Sequence, residues 1–324
     1  MWLFRSSFDE DQLCKRGLGA EATWPSAAEF ISAEKRPEAY VVLVPATLVG
    51  ALITAAAVAP TMVRLGRAGC RAKCWRRVVI TMLPPSAPLV LALIKVATVV
   101  APSAWKLGNL IAAVLESLAL GAFLLLIVSF VGGPSGEVAG ALSQVQPCRV
   151  WGCEKRSPAR SDVRTVYAMF LQFVIINVFV AAVELDDALA LKNDILLTFV
   201  DGFSLFLCIV GLVVFIRMGL ELLDGRQASL KLAVVKILFV ANTMSFRIAM
   251  RCVHKDVIVD GLCYCSETLA SAWSGAVTTA VAAFIGVMTC FVFGPKDLED
   301  FADRPTLEAP GGIPAGAGGF GAVH

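Results

Sequence analysis

The sequence predicts an all-α integral membrane protein, a seven-transmembrane helical bundle with its N-terminus outside and its C-terminus in the cytoplasm. Of its 324 residues, 57% are hydrophobic and only 17% are charged, whereas soluble domains carry about 25% charged residues. Seven apolar stretches and an uneven distribution of Lys and Arg complete the argument. The net charge of +2 does not by itself indicate a nucleic-acid-binding protein, because that function requires a basic face or stripe.

Seven segments are long and apolar enough to cross a bilayer. A helix needs about 20 mostly apolar residues for this, because it must satisfy its own backbone hydrogen bonds in the hydrocarbon core. The segments run over residues 40–63, 78–101, 109–131, 163–185, 195–218, 230–250 and 269–293. They define a transmembrane domain at 39–294. Residues 1–38 are predicted to form a polar extracellular or lumenal tail, and residues 295–324, rich in Gly and Ala, a disordered cytoplasmic tail.

Orientation follows from the basic residues between the spans. The loops after spans one, three and five hold fourteen Lys and Arg residues, and the alternate loops hold four. Short loops rich in Lys and Arg are retained on the cytoplasmic side. With an odd number of spans, this distribution predicts an external N-terminus in a multi-pass protein of the plasma membrane or an endomembrane.

The cysteines divide by predicted compartment, and each side has its own redox chemistry. Cys252, Cys263 and Cys265 lie outside, where one disulfide is plausible; a Cys263–Cys265 bridge would be strained. The cytoplasmic cysteines flank spans one, three and four in basic surroundings, which suits reversible palmitoylation as well as ordinary reduced thiols. They are Cys70, Cys74, Cys148 and Cys153. Their spacing matches structural zinc sites poorly, so no metal is expected.

Enzymatic chemistry lacks its usual residues. The chain has two histidines, His254 and His324, and no nucleotide-binding loop, paired-histidine helix or nucleophile elbow. The glycines at 132–140 follow a membrane span instead of a buried strand and therefore indicate a turn. The sequence predicts neither an enzyme nor a cofactor.

Ionisable residues inside the spans are the candidates for function, because a charge in the hydrocarbon core is costly. Lys95, Glu116 and Asp201 lie at a similar predicted depth in spans two, three and five. Since spans two and three are joined by a short loop, a Lys95–Glu116 pair is the economical arrangement. Such a pair either locks the bundle or contacts a substrate.

Span six carries a polar stripe. Lys236, Thr243 and Arg247 return to nearly the same helical face at 3.6 residues per turn, and Asn242 lies nearby. Snorkelling of the two cations to opposite interfaces is one interpretation, and a cationic lining for an organic anion is the other. Three prolines in span two, at 84, 85 and 88, predict a kink or break, and broken helices often border cavities.

The segment between about residues 37 and 295 resembles a known family, the alpha subunit of the organic solute transporter and its relatives in the transmembrane protein 184 group. Six motifs in the same order carry the resemblance. They are Arg76-Arg77 with Ser86-Ala87-Pro88, Glu116 with Gly132-Gly133, the cysteine segment from Pro147-Cys148 to Cys153, Phe170 to Phe173, Gly211-Leu212 to Glu221-Leu222-Leu223, and Lys231 with Lys236.

The resemblance implies transport of amphipathic organic solutes, such as steroid- or bile-acid-like organic anions, by facilitated diffusion without ATP. It also implies membrane lipids as surroundings, lipid-modified cysteines before span four, and a single-pass beta-type subunit or a homo-oligomer as the assembly. The alternative is a seven-span scaffold or signalling regulator without transport activity. A G-protein-coupled receptor is disfavoured, because span three lacks the acidic-Arg-aromatic triplet and span seven lacks an Asn-Pro pair.

Overall fold

The computed structural model describes residues 38–298, apart from short gaps at 71–74, 102–103, 133–137, 146, 152–154, 186, 224, 254–256, 260–261 and 265. In this part of the chain, seven helices are long and apolar enough to span a membrane, which confirms the predicted helical bundle. In chain order they are α1 (Glu38–Gly69), α2 (Trp75–Val100), α3 (Trp105–Gly132), α4 (Arg160–Val183), α5 (Asp187–Met218), α6 (Ala228–Cys252) and α7 (Ser266–Val292). The direction of the bundle across the membrane stays a prediction.

Two helices begin well before the predicted spans. Helix α5 begins at Asp187, whereas the predicted apolar segment begins at residue 195. The Ala and Leu residues between these points favour a helix, while the neighbouring Asp, Lys and Asn residues make the segment too polar to predict a span. Helix α3 begins at Trp105, and this earlier start changes the depth of every side chain in it.

The prolines of span two do not break it. Helix α2 is continuous from Trp75 to Val100 with Pro84, Pro85 and Pro88 inside it, so the helix is not broken, and a kink at these prolines stays a prediction. All three prolines are buried, and a membrane helix tolerates proline where packed neighbours surround the freed backbone groups. No cavity border follows from these residues.

Helices α3 and α7 organise the packing. Helix α7 contacts α1, α2 and α6, while α4 and α5 pack as a pair that joins the others through α3. By contrast, α5 and α6 touch only sparsely. Small residues bring α1 and α7 close together, since Gly50 lies against Thr279 and Gly286 lies against Ala57 and Val58. Close approach through small residues is the usual way in which membrane helices associate.

The apolar core centres on α3. The largest buried side chains of the bundle include Phe123 and Phe130 of α3, Phe173 of α4 and Phe215 of α5. Helix α3 is the most deeply buried of the seven. A helix that is apolar all round is expected in such a central place.

Small elements close the ends of the bundle. A short helix, Val138–Ser143, and two strands, β1 (Cys148–Arg149) and β2 (Lys155–Arg156), lie between α3 and α4. Strands β3 (Val257–Val259) and β4 (Leu262–Tyr264) pair between α6 and α7. We call the end where α1, α3, α5 and α7 finish the basic end, because it carries the Lys- and Arg-rich loops; it is the predicted cytoplasmic end.

The chain stays folded beyond α7. Pro295–Leu298 forms a 3-10 helix, and Leu298 packs against Leu65 and Val78. The sequence-based prediction included these four residues in the disordered tail, whereas the structure folds them into a 3-10 helix. Residues 299–324 and residues 1–37 lie outside the described residues, so the two predicted tails stay predictions.

Candidate functional site

An ion pair joins the two helices that otherwise touch sparsely. Arg247 of α6 places its Nη2 3.4 Å from Oδ2 of Asp201 of α5. The two side chains are 28% and 15% exposed, respectively, so the pair is shielded without being sealed from its surroundings. Both residues were candidates from the sequence, and the structure brings them together. Arg247 is consequently a partly neutralised cation.

Glu116 of α3 faces the same region. Its side chain is buried at 5% exposure and lies near Asp201 and Cys208 of α5. Ser204, one turn after Asp201, is fully buried, and its hydroxyl has no hydrogen-bond partner among the described residues. We call Glu116, Asp201, Ser204 and Arg247 the polar cluster. It lies where α3, α5 and α6 meet.

Lys95 and Glu116 do not form the predicted pair. The ammonium of Lys95, 1% exposed, lies 3.5 Å from the side-chain oxygen of Asn109, and no ion pair joins Lys95 to a described carboxylate. Counting about 1.5 Å per residue from the helix ends, Lys95 and Asn109 lie about 6–8 Å deep and Glu116 about 16 Å deep. The early start of α3 at Trp105 therefore moves Glu116 out of reach.

The stripe on α6 is present and partly enclosed. Lys236, Thr243 and Arg247 are each half-buried. Unlike Arg247, Lys236 makes no ion pair or side-chain hydrogen bond with any residue that the structure describes. It lies on the face shared with Arg247, so the stripe carries one cation that no described residue neutralises. Charged hydrogen bonds at such a site contribute about 1.5–3 kcal/mol each.

Uncharged polar side chains extend along the neighbouring side of α6. The hydroxyl of Ser245 lies 2.9 Å from that of Ser274 and 3.1 Å from that of Thr278, both on α7. Asn242, one turn away, has a buried side-chain oxygen with no partner among the described residues. Hydroxyl contacts of this kind join membrane helices, whereas the amide of Asn242 keeps an unused acceptor.

A second buried ion pair, which the sequence reasoning missed, lies at the basic end. The ammonium of Lys231 lies 2.7 Å from Oδ1 of Asp297, and both side chains are 3% exposed. It also donates to the backbone oxygen of Arg226 at 2.6 Å and lies over the rings of Phe130 and Phe293. In the sequence this pair is visible only as a lysine at the start of predicted span six and an aspartate shortly after predicted span seven, at the same predicted end of the bundle.

The comparison with protein families decides the identity of the fold. A family model described as organic solute transporter Ostalpha matches residues 47–298. The chain belongs to this family. No curated protein and no solved structure is significantly similar to the chain.

Membership of the Ostalpha family confirms the resemblance found in the motifs and makes the chain a multi-pass membrane protein of a transporter family. The matched segment begins inside α1 and ends at Leu298, so it includes the polar cluster and the Lys231–Asp297 pair. It also includes the 3-10 helix after α7, which supports treating that turn as part of the membrane domain.

The structure describes only some of the cysteines of this Ostalpha family member for which the sequence predicts a modification. Cys70 is exposed at the end of α1, and Cys148 of β1 packs partly buried against the core; both are free thiols. Cys252 is exposed and free at the end of α6. Cys74, Cys153 and Cys265, and the side chain of Cys263, lie outside the described residues. Lipidation and an external disulfide therefore stay predictions.

Proposed function

We propose that the protein carries amphipathic organic anions, of the steroid-conjugate or bile-acid type, across a membrane by facilitated diffusion. The family supports organic solute transport in general. The observation that carries the choice of an anion is Lys236, a half-buried cation without an ion-pair partner in the described part of the chain, on the helix face of Thr243 and Arg247. An amphipathic anion complements a face that carries two cations along one line, with the uncharged polar side chains of Asn242 and Ser245 beside it.

The Asp201–Arg247 pair has a different part in this proposal. Because it bridges two sparsely packed helices, its opening would separate α5 from α6 at little packing cost. A passing carboxylate or sulfate could take the place of Asp201 at the guanidinium. Asp201 competes with such an anion for the same guanidinium, which suits passage better than tight binding.

The test is uptake of a labelled steroid sulfate into proteoliposomes that contain the purified protein. We expect Lys236→Ala to lower uptake about tenfold or more at low substrate concentration, because one charged hydrogen bond is lost. Lys236→Arg should restore most of it. Arg251→Ala is the matched control, since Arg251 is an exposed cation at the far end of the same helix; its uptake should stay near that of the wild type.

The assembly is tested in the same assay, with the chain alone and with a single-pass beta-type partner. Uptake equal to that of empty vesicles in both arms would remove transport of this solute class. If Lys236→Ala and wild type take up the solute equally, transport is retained but Lys236 does not contact the anion, and its ammonium instead snorkels to the membrane interface.

A further inference from the structure

An apolar groove lies between α3 and α4, outside the polar cluster. Its volume is about 380 Å³, and its walls are Gly121, Leu124, Leu125, Tyr167, Ala168, Phe170 and Leu171. Gly121 helps to form it, because a Cβ at this position would lie 3.2 Å from the ring of Phe170. The walls on α4 include exposed side chains at Ala168 and Leu171, so the groove opens towards the lipid. Its volume falls within the range typical of ligand pockets.

Cations continue the same line on α4. At about 100° per residue, Arg160, Arg164, Tyr167 and Leu171 fall within an arc of about 60°. Arg164 therefore lies one turn from Tyr167, towards the basic end. Both arginines are exposed, and neither makes an ion pair with a carboxylate that the structure describes.

The nearby carboxylate is already occupied. Asp162 accepts from Arg156 at 2.6 and 2.7 Å, from the indole of Trp151 at 3.0 Å and from the backbone of Ala159 at 2.8 Å. This clamp holds strand β2 against the start of α4, and β2 adds the exposed Lys155 to the two arginines. A cationic surface thus borders the groove at the level of the predicted cytoplasmic headgroups.

We propose that this groove and the arginines beside it bind one anionic phospholipid of the cytoplasmic leaflet. An acyl chain lies along Leu124, Ala168 and Leu171, and Arg160 and Arg164 contact the phosphate and the anionic headgroup. Basic residues next to a membrane helix attract anionic lipid, and arginine suits phosphate because its fork donates two parallel hydrogen bonds. The groove contains no residue of the polar cluster or of the stripe on α6.

The test is native mass spectrometry of the detergent-purified protein with phosphatidylserine or phosphatidylcholine of identical acyl chains. We expect wild type to retain phosphatidylserine preferentially. The double variant Arg160→Gln/Arg164→Gln should lose about 10- to 30-fold of that preference. Arg217→Gln is its control, because Arg217 is exposed at the same end of the bundle, in the last turn of α5.

The groove is tested separately. Ala168→Phe should fill it and lower retention of phosphatidylserine, whereas Ala182→Phe, at an exposed alanine near the other end of α4, should not. Glycerophosphoserine, which has the headgroup and no chains, should compete weakly. Equal retention of the two lipids, equal effects of the two phenylalanines, or full competition by glycerophosphoserine would each overturn the proposal. Circular dichroism establishes that every variant is folded.

Discussion

Removing Asp297 should destabilise the protein more than almost any other single change at a charged residue. The Lys231 ammonium is 3% exposed and makes two hydrogen bonds, one to Asp297 and one to the backbone oxygen of Arg226. Asp297→Ala leaves that charge buried with one carbonyl and two aromatic rings. Breaking a buried ion pair from one side costs about 3–5 kcal/mol. The carboxylate also accepts from the backbone of Gly294 at 3.2 Å, which places the expected loss in the upper half of that range.

The assay is equilibrium unfolding in mixed dodecylmaltoside and SDS micelles, followed by circular dichroism. Lys296→Ala is the control, because Lys296 is exposed in the same 3-10 helix, and it should change the free energy of unfolding by no more than about 0.5 kcal/mol. The double variant Lys231→Met/Asp297→Leu should recover most of the loss, because an apolar pair of similar volume often replaces a buried ion pair without cost.

Two results would refute this reasoning. If Asp297→Ala is as stable as Lys296→Ala, the pair does not contribute to the fold. If the double variant is as unstable as Asp297→Ala, the loss comes from the shape of the site and not from the uncompensated charge.

Two further variants test helix packing in the same micelle assay. Gly50→Ala should lose about 1–3 kcal/mol, because the new Cβ would lie 2.7 Å from the Thr279 hydroxyl. Gly66→Ala on the same helix is the control, because its new Cβ would have nothing within 4 Å, and it should be neutral or gain up to about 1 kcal/mol from the higher helix propensity of alanine. Equal stabilities of the two variants would contradict the close α1–α7 contact. Asn177→Leu should lose about 1 kcal/mol, because its amide donates to the backbone of α3 at 2.9 Å and to Ser117 at 3.2 Å, and stability equal to wild type would show that these bonds contribute nothing.

The number of helices was predictable because each membrane helix has to contain one long apolar stretch. That local property is visible in any window of about 20 residues. The ends were less accessible, since residues such as those from Asp187 onwards can be helical without being apolar. One such end had a consequence in the core. Placing the start of α3 at residue 109 instead of Trp105 put Glu116 at the depth of Lys95, and a pair was predicted that the structure does not contain.

The pairing of charges could not be read from the sequence, because it depends on which helices touch. Asp201 and Arg247 are 46 residues apart, and Lys231 and Asp297 are 66 apart; neither spacing carries a periodic signal. Three of these four residues stand out in the sequence as charges or family motifs, yet neither pair was predicted. The family resemblance did not help, since motifs in order along a chain say nothing about contacts between them.

The two ion pairs differ in length and burial, which suits them to different parts in the proposed transport. Lys231 and Asp297 are sealed at 3% exposure, surrounded by aromatic rings, and hold the basic end of α6 to the turn after α7. The Asp201–Arg247 pair has a longer distance between its charged atoms, is more exposed and lies between helices with few other contacts. A transporter needs one region that stays closed and another that opens at low cost. The geometry therefore favours motion between α5 and α6, next to Lys236, and a fixed contact between α6 and α7.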